Sequence, residues 1–308
     1  MAASASTVQP DWGDYIGTSF TIREMFSILD NLGEGDKLNY WDVSYGMLLG
    51  NTAVNMFPDR VNRVILDGVL NPLEYYYTLK ESQQYAATDK VWREFLRACM
   101  KHPDTCALAP LAKSPEGLEK KLNDMLSNLA VNPLPAGRNI ITYAFVKANI
   151  ISSLYYPTKS RTGLSNVNGG SIRRQSMIGI RCGDKIVRTD DVEQGHQAPQ
   201  RSLEVSKAFG DVPTTNIAAC AQWPFTAKER YDGNFTAKTS QPVLIIGNTW
   251  DPVTPLVSAK NYNGYGHLSL SQPPTCTSQH IARYFVNGTL PEHGTKCEPD
   301  RGLFVPKQ

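Results

Sequence analysis

Three side chains of this sequence could together carry out acyl transfer: Ser44, Asp251 and His267. A serine hydroxyl attacks a carbonyl only when a base takes its proton, and an imidazole base works best with a carboxylate behind it to fix the tautomer and stabilise the imidazolium. Ser44 lies between two different runs. Leu38, Tyr40, Trp41 and Val43 before it favour extended backbone, while Met47, Leu48, Leu49, Ala53 and Val54 after it recur at helical spacing. A serine on such a strand-to-helix turn holds its hydroxyl out above the sheet. The unpaired N–H groups of the new helix, that of Tyr45 first, then lie under any oxyanion formed there. Asp251 follows Val243–Ile246, a β-prone buried run, and catalytic groups gather at the carboxyl ends of parallel strands. His267 follows in Gly264-Tyr265-Gly266-His267, and Ser, Asp, His is a known chain order for such a triad. Each residue also has a plain alternative: a surface serine, a turn aspartate before Pro252, a loop histidine.

The surrounding chain reads as alternating α and β. Thr21 is placed to cap a helix carrying Ile22, Met25, Phe26, Ile28 and Leu29, with Glu24 three residues on and Gly33 and Gly35 ending it. The elbow strand and helix come next, and Val61 to Leu66 reads as a strand buried on both faces. From Pro72 the pattern becomes helical: Tyr85–Met100, Leu118–Leu129, Ile140–Leu154, and a further helix that includes Val205 and Phe209. Residues 158–175 are polar and read as an exposed loop. The expected organisation is a core with the elbow over 1–71, a helical cap insertion over 72–240 and a return to the core over 241–308. Only three core strands are recognisable, which predicts an incomplete doubly wound parallel sheet.

The chain has 308 residues, 19% of them charged, with a net charge of +2. No basic stripe marks a nucleic-acid partner, and no apolar run approaches the ~20 residues of a membrane span. The opening Met1-Ala2-Ala3-Ser4-Ala5-Ser6-Thr7 lacks the basic start and apolar core of a signal peptide. Six cysteines, Cys99, Cys106, Cys182, Cys220, Cys276 and Cys297, form no Cys-x-x-Cys, against zinc or a redox dithiol. Their positions predict three disulfides. Cys99–Cys106 and Cys276–Cys297 close short loops through turn residues, and Cys182–Cys220 is left by elimination. Free buried thiols are the expectation for a reducing compartment. Sequons at Asn234 and Asn287 join the cysteines in pointing to a secreted glycoprotein.

Beyond the triad, longer motifs recur along the chain. They are Tyr40-Trp41-x-Val43-Ser44-Tyr45-Gly46, Met56-Phe57-Pro58-Asp59-Arg60-Val61, Ile65-Leu66-Asp67-Gly68-Val69, Ile180-Arg181-Cys182-Gly183-Asp184, Asn248-Thr249-x-Asp251-Pro252-Val253-Thr254-Pro255 and Gly264-Tyr265-Gly266-His267. With the tail Tyr284-Phe285-x-Asn287-Gly288-Thr289-Leu290-Pro291 and Cys297, they resemble the secreted fungal α/β-hydrolases of the tripeptidyl-aminopeptidase-like group, in the prolyl-aminopeptidase peptidase family. The resemblance covers most of the chain, with the C-terminal region of that group starting near residue 205. It implies an α/β-hydrolase fold and an extracellular serine peptidase acting on the N-termini of peptide substrates. It also implies a triad on Ser44, Asp251 and His267, and neither metal nor organic cofactor.

The sequence departs from that pattern in four places. Asp42 stands where the elbow has glycine, and its carboxylate is expected to crowd the turn and compete for His267. No Gly-Gly-Pro-Gly loop supplies a second oxyanion N–H. Only 15 residues separate Asp251 from His267, where a helix, a strand and their connections need about 25. Leu268 replaces a frequent cysteine. These departures predict a chain truncated at its start, an imidazole with no strand to hold it, and no peptidase activity from the chain as written. A carboxylester hydrolase on the same fold and a non-catalytic remnant or binding protein stay open beside the peptidase.

Overall fold

The computed structural model describes residues 12–305 apart from 80, 138, 158–169, 257–264, 273 and 304. In chain order the elements are α1 (Thr18–Leu32), β1 (Leu38–Val43), α2 (Tyr45–Met56), β2 (Val61–Asp67), α3 (Pro72–Tyr77), α4 (Thr88–Lys101) and α5 (Pro115–Val131). A small hairpin follows, β3 (Leu134–Ala136) and β4 (Asn139–Ile141), then α6 (Tyr143–Tyr155), α7 (Gly170–Asp184), α8 (Val192–Val205), α9 (Thr214–Ala221), β5 (Leu244–Ile246) and α10 (Thr275–Asn287).

Among the described residues the main sheet has three parallel strands in the order β1-β2-β5. Val43 pairs with Asp67 and Asp67 with Ile246, so the three strands end level at their carboxyl edge. Ser44, Asp67 and the loop toward Asp251 therefore converge on one rim, where ligand sites of parallel sheets form. On one face Ile22 and Phe26 of α1 and Met47, Leu48 and Ala53 of α2 pack against Val64 and Leu66. On the other, Ile281 and Tyr284 of α10 cover Ile65, Leu244 and Ile246. Burial of Val64, Ile65 and Leu66 is why the central strand β2 reads as a continuous apolar run, whereas the two outer strands keep exposed residues such as Trp41 and Ile245.

Between β2 and β5 the helices build their own core from Trp92, Phe95, Leu96, Leu118, Leu122, Leu154 and Phe209. Val253, two residues after Asp251, belongs to the same cluster and joins it to the rim of the sheet. Disulfides link Cys99 to Cys106 beyond α4, Cys182 of α7 to Cys220 of α9, and Cys276 of α10 to Cys297 in the tail.

Several local expectations are corrected. α1 starts at Thr18 rather than behind Thr21, because the buried carboxylate of Asp184 accepts both the Thr18 N–H (2.7 Å) and its hydroxyl (2.6 Å). A group 166 residues away thus satisfies a first-turn donor that a local cap was expected to serve. Asn139–Ile141 is the second strand of the hairpin, and the helix expected from Ile140 begins at Tyr143, capped by the Thr142 hydroxyl on the Phe145 N–H. α8 stops at Val205, and Phe209 lies in the turn beyond it. Of the loop expected over 158–175, residues from Gly170 onward are helical, and 158–169 lie outside the described residues. The helical stub expected at 257–261 also lies outside them.

Candidate active site

Ser44 occupies the turn between β1 and α2 with φ 59° and ψ −120°, a left-handed backbone that costs a non-glycine residue of order 1–3 kcal/mol. Its N–H extends the sheet by donating to the Asp67 carbonyl oxygen at 3.1 Å. Its hydroxyl makes no capping bond to α2, although it sits at the cap position. That leaves Oγ for His267, whose Nε2 lies 2.8 Å away.

Asp42 does not reach the imidazole. Its Oδ1 accepts the Val43 N–H at 2.7 Å, and its Oδ2 accepts the Tyr40 hydroxyl at 3.3 Å. The expected competition for His267 is thus replaced by a local arrangement. The carboxylate folds over Gly46, where an added Cβ would overlap it, so the crowding that Asp42 brings is taken up by the missing side chain at 46.

On its far side His267 meets Asp251, with Nδ1 at 3.0 Å from Oδ1 and 2.9 Å from Oδ2. Asp251 is fully buried, and its remaining acceptor capacity is used by the N–H groups of Val253 and Thr254 (2.8 Å each), the Thr254 hydroxyl (2.6 Å) and the Leu268 N–H (2.8 Å). Burial pushes its pKa up. The imidazole beside it and these hydrogen bonds outweigh that, and the net shift is downward, so the carboxylate stays ionised.

The expectation that nothing holds the histidine is overturned. Three consecutive N–H groups are each captured by a different part of the chain: His267 by the Tyr155 carbonyl oxygen at the end of α6 (2.8 Å), Leu268 by Asp251 (2.8 Å), and Ser269 by Asp67 at the end of β2 (3.1 Å). Asn248 Nδ2 adds a bond to the Gly266 carbonyl oxygen at 2.7 Å, and the Gly266 N–H donates to Trp250 O at 3.1 Å. The Tyr155 ring meets the imidazole edge to face at 4.6 Å. Leu268, itself at φ 71°, packs over Gly68, where a Cβ would collide with its side chain. A loop fixed at this many points holds the imidazole without a strand.

Asp67, Thr254, Tyr155 and Ser269 were not singled out from sequence as parts of the site. Asp67 had a local signal, an acidic residue closing an apolar strand just before Gly68, and Thr254 lay within the motif that follows Asp251. Beside the elbow, the Tyr45 hydroxyl is 2.7 Å from Thr18 Oγ1 and so joins the Asp184 cluster, which also takes the Tyr75 hydroxyl at 3.0 Å. Away from the rim, Cys276, His280 and Cys297 have ligand atoms within 4.8 Å of one another, but the two sulfurs are joined in a disulfide and present no thiolate to a metal.

A parallel sheet with a serine on a strained strand-to-helix turn, and with helices inserted in the chain between two of its strands, defines an α/β-hydrolase fold. Residues 206–297 match the family model described as TAP-like protein (Abhydrolase_4). The chain is similar to tripeptidyl aminopeptidase of Streptomyces coelicolor, 35% identical over 332 residues that cover 92% of this chain and 58% of that protein. It is also similar to serine protease Hip1 of Mycobacterium tuberculosis, 24% identical over 92% of this chain and 62% of that protein. Carboxylesterase B of the same organism is 24% identical over 79% of this chain and 53% of its own length. The chain thus spans about three fifths of the length of the first two of these curated relatives. Among the described residues no helix is long and apolar enough to cross a membrane.

Proposed function

We propose that this chain is a secreted serine hydrolase of peptidase type, cleaving short peptides from free N-termini through Ser44, His267 and Asp251. The observation that carries the proposal is the 2.8 Å approach of His267 Nε2 to Ser44 Oγ with Asp251 on the opposite nitrogen. Ser44 attacks the scissile carbonyl, and His267 takes the hydroxyl proton and returns it to the leaving amine. Asp251 holds the Nδ1–H tautomer and stabilises the imidazolium without itself taking a proton. The N–H of Tyr45, first residue of α2, faces no intrahelical acceptor and is the natural donor to the oxyanion. The peptidase names of two relatives support a peptide as acyl donor, and the esterase name of a third supports an ester. Three disulfides and exposed sequon residues Asn234 and Asn287 support an oxidising, glycosylating route.

The test is a fluorophosphonate probe on the purified chain. Stoichiometric labelling at Ser44, lost in Ser44→Ala and His267→Ala, is the expected result. Faster turnover of tripeptide amides than of short-chain esters supports the peptidase; the reverse order supports the esterase. An unlabelled Ser44 overturns both and leaves the binding-protein alternative.

A further inference from the structure

We propose that Asp67 is a second carboxylate of this site, a positioning residue that pins the His267 segment through Ser269 and adds negative charge to the field in which the imidazolium forms. The inference rests on the serine-hydrolase reading above. Asp67 ends β2 and is fully buried. One residue uses both of its oxygens: the Ser269 N–H donates to Oδ1 at 3.1 Å and the Ser269 hydroxyl to Oδ2 at 2.5 Å. Ser269 lies two residues beyond His267, so the carboxylate fixes the main chain just past the base. Asp67 also accepts the Ser44 N–H on its own carbonyl oxygen at 3.1 Å. A single residue thus sets the backbone of the nucleophile from its main chain and that of the base from its side chain.

The chemistry of the position distinguishes a carboxylate from a neutral equivalent. Asparagine offers the same acceptor to the Ser269 N–H and a donor to its Oγ, without burying a charge. Burial does push the Asp67 carboxyl up, to about 6, with the two Ser269 bonds pulling it back down. The ionisable groups that face it are Asp251, from the loop after β5, and His267. The first repels it, and the second attracts it once protonated. A buried carboxylate near this pair costs folding free energy, and its gain is realised when the imidazole becomes a cation, as it does in acyl transfer.

The experiment compares the full chain with Asp67→Asn, Asp67→Ala and Ser269→Ala. The readouts are the pH dependence of kcat/KM, the labelling rate with a fluorophosphonate, and the low-field proton NMR signal of His267 Nδ1–H. Asp67→Asn keeps the hydrogen bonds and removes the charge. Its labelling rate is expected to stay within about tenfold, with the acid limb moved to lower pH by about half a unit. Asp67→Ala removes both, and kcat is expected to fall by about 10- to 100-fold with little change in KM, while the low-field signal broadens. Ser269→Ala should lower kcat without moving the limb. An unmoved limb in Asp67→Asn overturns the charge role. Wild-type kcat and a sharp low-field signal in Asp67→Ala overturn the positioning role. If the wild-type serine is not labelled, the hydrolase reading falls, yet the NMR comparison still decides positioning. A signal lost in Asp67→Ala and kept in Asp67→Asn supports it, and a signal unchanged in both overturns it.

Discussion

The backbone N–H of His267 donates to the carbonyl oxygen of Tyr155 at 2.8 Å, and the Tyr155 ring stands edge-on to the imidazole at 4.6 Å. The candidate base therefore takes part of its position from the last residue of α6, a helix of the insertion rather than of the sheet. The ring is what a substitution can remove. Tyr155→Phe keeps it and is expected to hold kcat within about threefold. Tyr155→Ala opens a void beside His267 and should lower kcat by about 10- to 100-fold, because a displacement near 1 Å at a reacting group costs that much. Equal effects of the two variants in steady-state kinetics would place the contribution in the phenol hydroxyl instead of the ring.

The strain at Ser44 predicts a division between stability and activity. At φ 59° a glycine carries little of the penalty that serine and alanine carry. Ser44→Gly is expected to stabilise the fold by about 1 kcal/mol in urea unfolding, whereas Ser44→Ala keeps the strain and should change stability little. Both variants should lose fluorophosphonate labelling. A Ser44→Gly variant no more stable than Ser44→Ala would show that the elbow is relaxed.

Asp42 and Gly46 make a coupled pair. Gly46→Ala alone drives a methyl into the Asp42 carboxylate and should cost about 1–3 kcal/mol. Asp42→Gly/Gly46→Ala removes the collision, and the double-mutant cycle should recover most of that loss. Asp42→Gly alone is expected to change the Ser44 labelling rate by less than about threefold, since Asp42 bonds to Tyr40 and the Val43 N–H and not to His267. Additive destabilisation in the cycle would rule out the pairing.

Two buried carboxyls give the fold a signed pH dependence. Burial raises Asp67 and Asp184 from the ordinary carboxylate value of 3.8 to about 6. The folded state therefore favours their protonated forms. The stability they contribute is full below the unfolded pKa and is lost as pH rises through about 6, by on the order of 3 kcal/mol for each group. Asp251 has the opposite sign: its pKa is lowered, so its contribution is present above the unfolded value and lost as pH falls through the folded one. The Tm is expected to peak near the unfolded carboxylate value and to fall as pH rises from there through about 6, levelling off above it. Asp67→Asn should raise Tm at pH 8 more than at pH 5, even as it moves the acid limb of activity. A Tm independent of pH across this window would contradict both assignments.

The local grammar of this protein is legible along the chain. A β-prone run ending at Val43, Ser44, and apolar residues at helical spacing from Met47 can form little else than strand, turn and helix. The apolar runs 61–66 and 243–246 read as strands of a parallel sheet; the central strand β2 is covered on both faces and so loses its polar alternation, while Ile245 on the outer strand stays exposed. The chain order of Ser44, Asp251 and His267, and the spacing of the six cysteines, were equally visible as pattern. Contacts between distant segments set what no local pattern holds. Thr18 rather than Thr21 opens α1 because Asp184 arrives from across the molecule to satisfy its N–H. Asn139–Ile141 is a strand because it has Leu134–Ala136 as a neighbour to pair with. Above all, a count of residues between Asp251 and His267 measures only the length of a loop. Its shape is set by acceptors on Tyr155, Asp251 and Asp67, drawn from the insertion, the loop after β5 and the end of β2. Hydrogen bonds between residues up to 202 positions apart leave no periodicity in the chain, so the placement of the imidazole became legible only once the fold had brought those acceptors together.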